Sequence, residues 1–455
     1  MRHASLIALL SASVAVAGCT VGPDYSRPAT ALSARFVNGD AAAIGQVAAD
    51  RWWLDYGDSM LSDLVTRGLD QNLDVMAATE VIRQARANLR ATGINAQASG
   101  GIDAAGTESG GTAINGTVDG SSAELGAAYV IDIFGGYRRE RQAAEANVVA
   151  AQADVETVRL AWLAELVAAY SDARYNQAAL ELTRQTIAAR EETVEITQGQ
   201  FNAGAATEYE VAQAQALLAT ARANLPQYAA LFDANVYAIA TLLNEPAGPI
   251  MSAMQRGAAQ LRTPGGGNTG VPADLLRNRP DVRSAEADLA AAVANVGVAE
   301  ADLYPSLTLG GTVARASGAS SWSFGPALSL PVFNQGALQA NRDAAVSLAK
   351  QAEIAWRASV LDAVEDVQVG ASNLARYRQR ASALRAAVDD YNRALTLAQE
   401  NYRVGAITLL DLLDTDRATA TARITAAAAV NSSAQAWAQL KIATGAGAAA
   451  TAAGS

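Results

Sequence analysis

The 455-residue chain has one cysteine, one histidine and only 5% aromatic residues, and its 34 Lys plus Arg are outnumbered by 45 Asp plus Glu. Each shortage excludes something. A net charge of −11 leaves no broad basic surface for phosphate neutralisation, so no nucleic-acid partner is expected. Alanine is the largest part of the hydrophobic share of 51%, which favours long helices in close contact over a core of large aromatic side chains.

The single histidine, His3, and the single cysteine, Cys19, both fall at the N-terminus. Residues 1–18 read as a secretory signal: Arg2 and His3 give the positive start, and an apolar stretch too short to span a bilayer follows. That stretch closes on Val16-Ala17-Gly18-Cys19, which resembles the lipobox of bacterial lipoproteins, where cleavage precedes the cysteine and the thiol carries lipid. Cleavage there removes Arg2 and His3, so the charge becomes 33 minus 45, or −12. The mature chain then has no imidazole and, with Cys19 lipidated, no free thiol. This excludes histidine acid–base chemistry, cysteine nucleophiles and zinc sites built from nitrogen or sulfur. No catalytic grouping of carboxylates stands out, so no enzyme activity, cofactor or metal site is expected.

The chain repeats itself. Phe201-Asn202-Ala203-Gly204-Ala205-Ala206-Thr207 matches Tyr402-Arg403-Val404-Gly405-Ala406-Ile407-Thr408 at an offset of 201. Backwards from the first turn, Val194, Ile187, Leu180, Ala173 and Leu166 recur every seven residues, and Leu395, Val388, Ala381, Leu374 and Val367 do so in the second copy. Seven-residue spacing held this long predicts a coiled-coil seam. Earlier, Asp74-Val75 and Asn88 reappear as Asp281-Val282 and Asn295 at an offset of 207, so one duplication covers most of the chain. Each copy predicts helix, two strands, very long helix, turn, helix. A first helix over 58–96 breaks near Asn72, and long helices without proline cover 137–200 and 338–403. Roughly 64 residues at 1.5 Å rise make each long helix about 96 Å. Gly204 and Gly405 sit where a helix end needs a left-handed residue. Thr207 with Glu210, and Thr408 with Asp411, have capping-box spacing, so the next helices start there.

Between the helices the period changes from the helical one to two. Residues 123–133, 306–313 and 321–333 alternate apolar and polar, although Pro326 and Pro331 interrupt the last; 100–108 alternates poorly. Ten-residue strands with one apolar face have the length of outer-membrane β-strands, and equally of a half-buried sheet in a soluble domain. Four strands cannot close a barrel and open edges are not tolerated in lipid, so insertion would require several chains sharing one barrel.

Four motifs carry a resemblance to the TolC-like outer-membrane efflux channels, in the lipoprotein branch that serves tripartite pumps. They are CTVGPDY at 19–25, the pair Trp52 and Trp53, VPADLLRNRPDVRSAEADL at 271–289 with YPSLTL at 304–309, and YRVGAITLLDLLDTDR at 402–417. The resemblance implies a mainly α fold with a transmembrane β-barrel portion: a homotrimer in which a twelve-stranded barrel continues into a twelve-helix periplasmic tunnel. It implies an outer-membrane location, a periplasmic adaptor and an inner-membrane RND-type pump as partners, and drugs, metals or other small solutes as cargo. It also implies a periplasmic gate lined by Leu410, Asp414 and Arg417; an ordinary exposed ion pair is the plainer reading of Asp414 and Arg417. At the matching positions the first copy has Gln213 and Ala216. The expected organisation is a signal peptide (1–18), lipid-anchored segment (19–57), first repeat (58–260), glycine-rich linker (261–273), second repeat (274–445) and flexible tail (446–455). A type I secretion duct, or a lipid-anchored periplasmic coiled-coil scaffold, are the alternatives.

Overall fold

The computed structural model describes residues 20–30, 32–37, 42–111 and 114–450, with side-chain surroundings for all of these except 111 and 114–118. The signal segment, the lipidation expected at Cys19 and residues 451–455 lie outside the described residues. A 3-10 turn at Trp52–Tyr56 leads into α1 (Ser59–Gln71) and α2 (Leu73–Ala91). Then come a one-turn helix at Ile94–Gln97, β1 (Ala98–Gly111), β2 (Ile114–Ile131), α3 (Gly136–Asn202), α4 (Glu208–Leu242) and α5 (Ala247–Gln255). The second half runs α6 (Pro272–Asn278), α7 (Pro280–Ala301), β3 (Ser306–Ala316), β4 (Ala319–Ser329), α8 (Gln335–Arg403) and α9 (Leu409–Ala443).

The halves break alike. Asn72 ends α1 in an extended conformation with its N–H on Gly68 O, and its side-chain oxygen accepts from the N–H groups of Asp74 and Val75, starting α2. At an offset of 207, Arg279 ends α6 extended with its N–H on Leu275 O, and Pro280 opens α7. Proline suits that first helical position because its missing N–H has no partner there anyway.

The chain divides into two compact units, one of them formed by the described residues within Met1–Ala31, Thr79–Asp154 and Asp281–Ser359. Its sheet is antiparallel in the order β1-β2-β3-β4. One face carries Ile102, Leu125, Tyr129, Val313, Trp322, Phe324 and Leu328, all exposed. The first strand, expected at 100–108, extends over Ala98–Gly111, because pairing with β2 fixes a segment whose glycines and alanines show no alternation. β4 ends at Ser329, so residues 330–333 of the expected strand are not part of it. Pro331 has no N–H to offer a ladder there. The segment after Cys19 is clamped: Val21 N–H donates to Phe134 O, and the buried Arg139 donates to the carbonyls of Val21 and Gly22 and pairs with Asp24. Gly22 lies so close to Gly297 that a Cβ would fall 2.4 Å from its Cα. Glu286 then accepts from Tyr25 Oη and takes a bidentate pair of bonds from Arg27. Burial, and after it the Glu286 charge, push the Tyr25 phenol up to about 12.

The other unit comprises the described residues within Leu32–Ala78, Val155–Pro280 and Val360–Ser455. Its core is aromatic after all: Trp53, Tyr170 and Trp437 are fully buried, and Trp52 stacks edge-on against Trp437. Residues 446–450, expected to belong to a flexible tail, are packed. Ala446, Ala448 and Ala450 are buried, Trp52 Nε1 donates to Ala446 O, and Gly447 N–H donates to Val47 O. The expected flexible linker is also held: Arg378 donates to the carbonyls of Pro264 and Gly266, and Thr269 is buried. Asp274 explains part of the 271–289 motif, since its buried carboxylate accepts from the N–H groups of Ile44 and Val271 and from Arg277.

Candidate functional site

The two helical turns that follow the long helices are the same object twice. Gly204 and Gly405 have φ of 76° and 74°, the left-handed region that glycine enters at no steric cost. Gly204 N–H donates to Phe201 O and Ala205 N–H to Gln200 O; Gly405 to Tyr402 O and Ala406 to Asn401 O repeat this at an offset of 201. Thr207 Oγ1 accepts from Glu210 N–H while the Glu210 carboxylate accepts from Thr207 N–H, and Thr408 and Asp411 do the same. These bonds to the ionised forms hold both carboxyls below their ordinary range: for Glu210 the Thr207 N–H leads, and for Asp411 the Thr408 hydroxyl.

Beyond the second turn, α9 has two faces. Leu409, Leu412 and Leu413 are buried with Leu395, Ala398 and Tyr402, and Ile196, Leu217 and Ile407 close the cluster. Leu410, Asp414 and Arg417, spaced four and three, lie on the opposite side. Leu410 is 53% exposed, and Arg417 Nη1 pairs with Asp414 Oδ1 with both side chains half exposed or more. All three implied gate residues thus share one open stripe at the start of α9, backed by a packed leucine face.

A buried polar seam lies behind them that sequence reasoning missed. Thr183, Thr186, Arg190, Thr193 and Thr197 recur on α3 at spacings of three and four, and all are buried. Each threonine hydroxyl bonds the carbonyl four residues back, which satisfies it within the helix. Arg190 Nε donates to Asp416 Oδ2 at 2.7 Å and its Nη1 to Leu217 O at 2.9 Å, tying α3 to both α4 and α9. Burial raises the Asp416 carboxyl above its ordinary range, although the charges of Arg190, Arg423 and Arg417 pull it down. The 3-4 spacing was visible in the sequence, but threonines at seam positions do not register as a hydrophobic stripe.

The aromatic residues near the strand ends divide into two groups. Trp322 and Phe324 stand exposed on the apolar face of the sheet, whereas Phe134 and Tyr304 stack on each other at 4.6 Å. Among the described residues no group of three or more His, Cys, Asp or Glu is placed to hold a metal ion, and no helix is long and apolar enough to cross a membrane.

The sequence profile of the family "Outer membrane efflux protein" matches residues 69–245 and 271–446, the two halves of the duplication. Nodulation protein T of Rhizobium leguminosarum bv. trifolii is 36% identical over 430 residues, covering 90% of this chain and 91% of that protein. The pyoverdine export outer membrane protein OpmQ of Pseudomonas aeruginosa is 30% identical over 442 residues, covering 92% and 91%. In structure the chain is similar to the outer-membrane channel OprN, with a TM-score of 0.82, 28% identity and coverage of 94% of this chain and 100% of that one. It is also similar to the open-state MtrE outer membrane channel of Neisseria gonorrhoeae, with a TM-score of 0.81, 27% identity and coverage of 96% and 100%. With a matched profile over most of its length and relatives of this identity and coverage, the chain belongs to the outer membrane efflux protein family.

Proposed function

We propose that three copies of this chain form a passive efflux duct in the outer membrane, receiving small solutes from an inner-membrane RND-type pump through a periplasmic adaptor. The observation that carries the reading is the sheet: four strands with one exposed apolar face, whose outer strands, β1 and β4, each pair on one side only. In lipid every backbone group must be bonded within the protein, so such a sheet is complete only when β4 of one copy meets β1 of the next. Three copies give twelve strands, the number that the family resemblance implies. Lipid on Cys19 anchors each copy beside the barrel, and the two repeats supply the helices of the tunnel. No cofactor enters; the pump supplies the energy.

The stripe of Leu410, Asp414 and Arg417 is the constriction. Around a three-fold axis Asp414 makes a carboxylate ring that cations stabilise and mutual repulsion strains. Two measurements test this. Light scattering of the detergent-extracted protein should give a trimer mass, and a monomer would end the shared-barrel argument. Asp414→Ala should raise basal conductance in a planar bilayer, and an unchanged conductance would remove the gate assignment.

A further inference from the structure

The apolar face of the sheet accounts for membrane contact, but the opposite face has a chemistry of its own. Its rows are set by the register: Asp103, Glu124, Ala314 and Ser321; then Gly101, Gly126, Thr312 and Ser323; then Ser99, Ala128, Gly310 and Gly325. Small side chains make this face a shallow trough, with Thr312 and Ser323 hydroxyls bonded at 2.9 Å. Asp103 and Glu124 stand directly opposite each other across the ladder, a like-charge pair that repulsion disfavours and a cation between them relieves. Arg315 is the only basic residue in the four strands, and its register with Ala123 places it on the apolar face.

At the helical foot of the same face, Val130, Asp132, Thr308, Ser306 and Ser329 lead into a recess of about 520 Å³. Its walls combine three carboxylates, Asp132, Glu140 and Asp302, with the stacked Phe134 and Tyr304 and with Val298, Ile133 and Pro331. Among the described residues no Lys or Arg lines the recess or the trough above it. Asp132 is occupied, since its Oδ2 accepts from Arg138 N–H at the start of α3, which leaves Glu140 and Asp302 to face a guest. Carboxylates beside aromatic faces and aliphatic walls match one ligand class, a cation with an apolar body: the ring faces attract the charge and the walls take the hydrocarbon.

From this placement we infer that the recess binds amphiphilic organic cations in transit, and that Asp103 and Glu124 extend the preference for cations up the strands. The inference rests on the duct reading, in which the trough faces the lumen. A single carboxylate about 6 Å from a monovalent cation changes its affinity by about threefold in a water-like dielectric and about a hundredfold at an effective dielectric near 20. The recess is open, so the lower part of that range applies.

The test uses the full chain in lipid nanodiscs, with empty nanodiscs subtracted, and equilibrium dialysis of tetraphenylphosphonium. Saturable binding is expected, tetraphenylborate of the same size should fail to compete, and Glu140→Gln with Asp302→Asn should weaken binding at least about fivefold. Equal binding of the borate, or unchanged binding by that variant with its helical circular dichroism intact, would overturn the recess. In planar bilayers, Asp103→Asn with Glu124→Gln should lower the cation-to-anion permeability ratio at least about twofold, read from the reversal potential in a salt gradient. A conducting protein without cation preference overturns the inference and leaves the duct standing. Protein that binds tetraphenylphosphonium but never conducts leaves the recess standing and overturns the duct.

Discussion

The helices α3 and α8 occupy matching places at an offset of 201 and end in the same turn, yet they are enclosed differently. On α3 the stripe Thr183, Thr186, Arg190, Thr193 and Thr197 is buried alongside the apolar stripe of Leu166, Ala173 and Ile187. At an offset of 201 the first stripe becomes Leu384, Ala387, Tyr391, Ala394 and Ala398 on α8; of these only Ala398 is buried, and Tyr391 is 41% exposed. Buried positions on α8 form one seam of three- and four-residue spacing through Trp356, Val360, Ala363, Val367, Gly370 and Leu374, continued by Ala381, Leu395, Ala398 and Tyr402, while Val346, Leu348, Leu361, Val369 and Leu397 remain exposed. One copy has thus been specialised as a helix satisfied on two sides within the chain. The other keeps an exposed apolar surface.

The largest expected effect comes from the contact that has no counterpart in the other copy. Arg190 and Asp416 correspond to Tyr391 and Gln215, so the ion pair bridges the two halves once and has no mate at the matching positions. Its side chains are 9% and 10% exposed, so removing one partner strands a buried charge. Arg190→Ala or Asp416→Ala should cost about 3–5 kcal/mol, read as a fall in the thermal midpoint of the helical signal. The double replacement Arg190→Met with Asp416→Leu should recover most of it. If each single variant costs no more than Tyr391→Ala, the seam adds nothing to α3 and the contrast with α8 disappears.

A second contrast lies where α4 and α9 end. Asn244, with φ of 52°, and Gly445, with φ of 81°, occupy the same left-handed position, and the bonds Asn244 to Thr241 and Glu245 to Ala240 recur as Gly445 to Ile442 and Ala446 to Lys441. Only at Gly445 would a Cβ meet backbone, 2.2 Å from Asn278 O. Gly445→Ala should therefore cost about 2–4 kcal/mol by strain plus overpacking, against about 1 kcal/mol for Asn244→Ala. Similar losses at both sites in a denaturant titration would show that the segment around Asn278 yields. By contrast, Thr207→Ala and Thr408→Ala should cost the same, about 1 kcal/mol each, because the two capping boxes are alike.

How much of this was legible follows from the range of the forces involved. The turn at Gly405, the break at Asn72 and the start at Pro280 are local: one residue's conformational limits set each of them, and the sequence displays such limits directly. Long helices were legible from seven-residue spacing and the absence of proline. β1 was poorly legible because Gly100, Gly101, Ala104 and Ala105 carry no face, and their conformation comes from the β2 ladder. Residues 446–450 have a linker's composition, and what holds them is distant in sequence: Val47, Ala48 and Trp52, some 400 positions away, and Arg159, which donates to Ala448 O. The ion pair Arg190–Asp416 joins positions 226 apart, and the pairing of Asp103 with Glu124 depends on a register that no motif encodes.

The smallest effect sets two carboxylates of one helix against each other in acid. Asp411 is held below its ordinary range by the Thr408 hydroxyl and N–H, so the stability it contributes is present above the unfolded value and is lost as pH falls through the lower folded one. Asp416 is raised, because its burial outweighs the attraction of Arg190, so the folded state takes up its proton first. Across the window between its folded value and the ordinary carboxylate value, falling pH favours the folded form at that position. Amide hydrogen exchange along α9 should therefore divide by position as pH is lowered. Protection around Asp416 should rise slightly through the first window, and only below the ordinary carboxylate range should the first turn after Thr408 begin to fray. Asp411→Asn should remove the acid fraying alone, and Asp416→Asn the earlier rise alone. If both segments lose protection together at one pH, the cap and the buried pair act as a single unit, and the division of α9 into an exposed stripe and an independently anchored buried face would have to be given up.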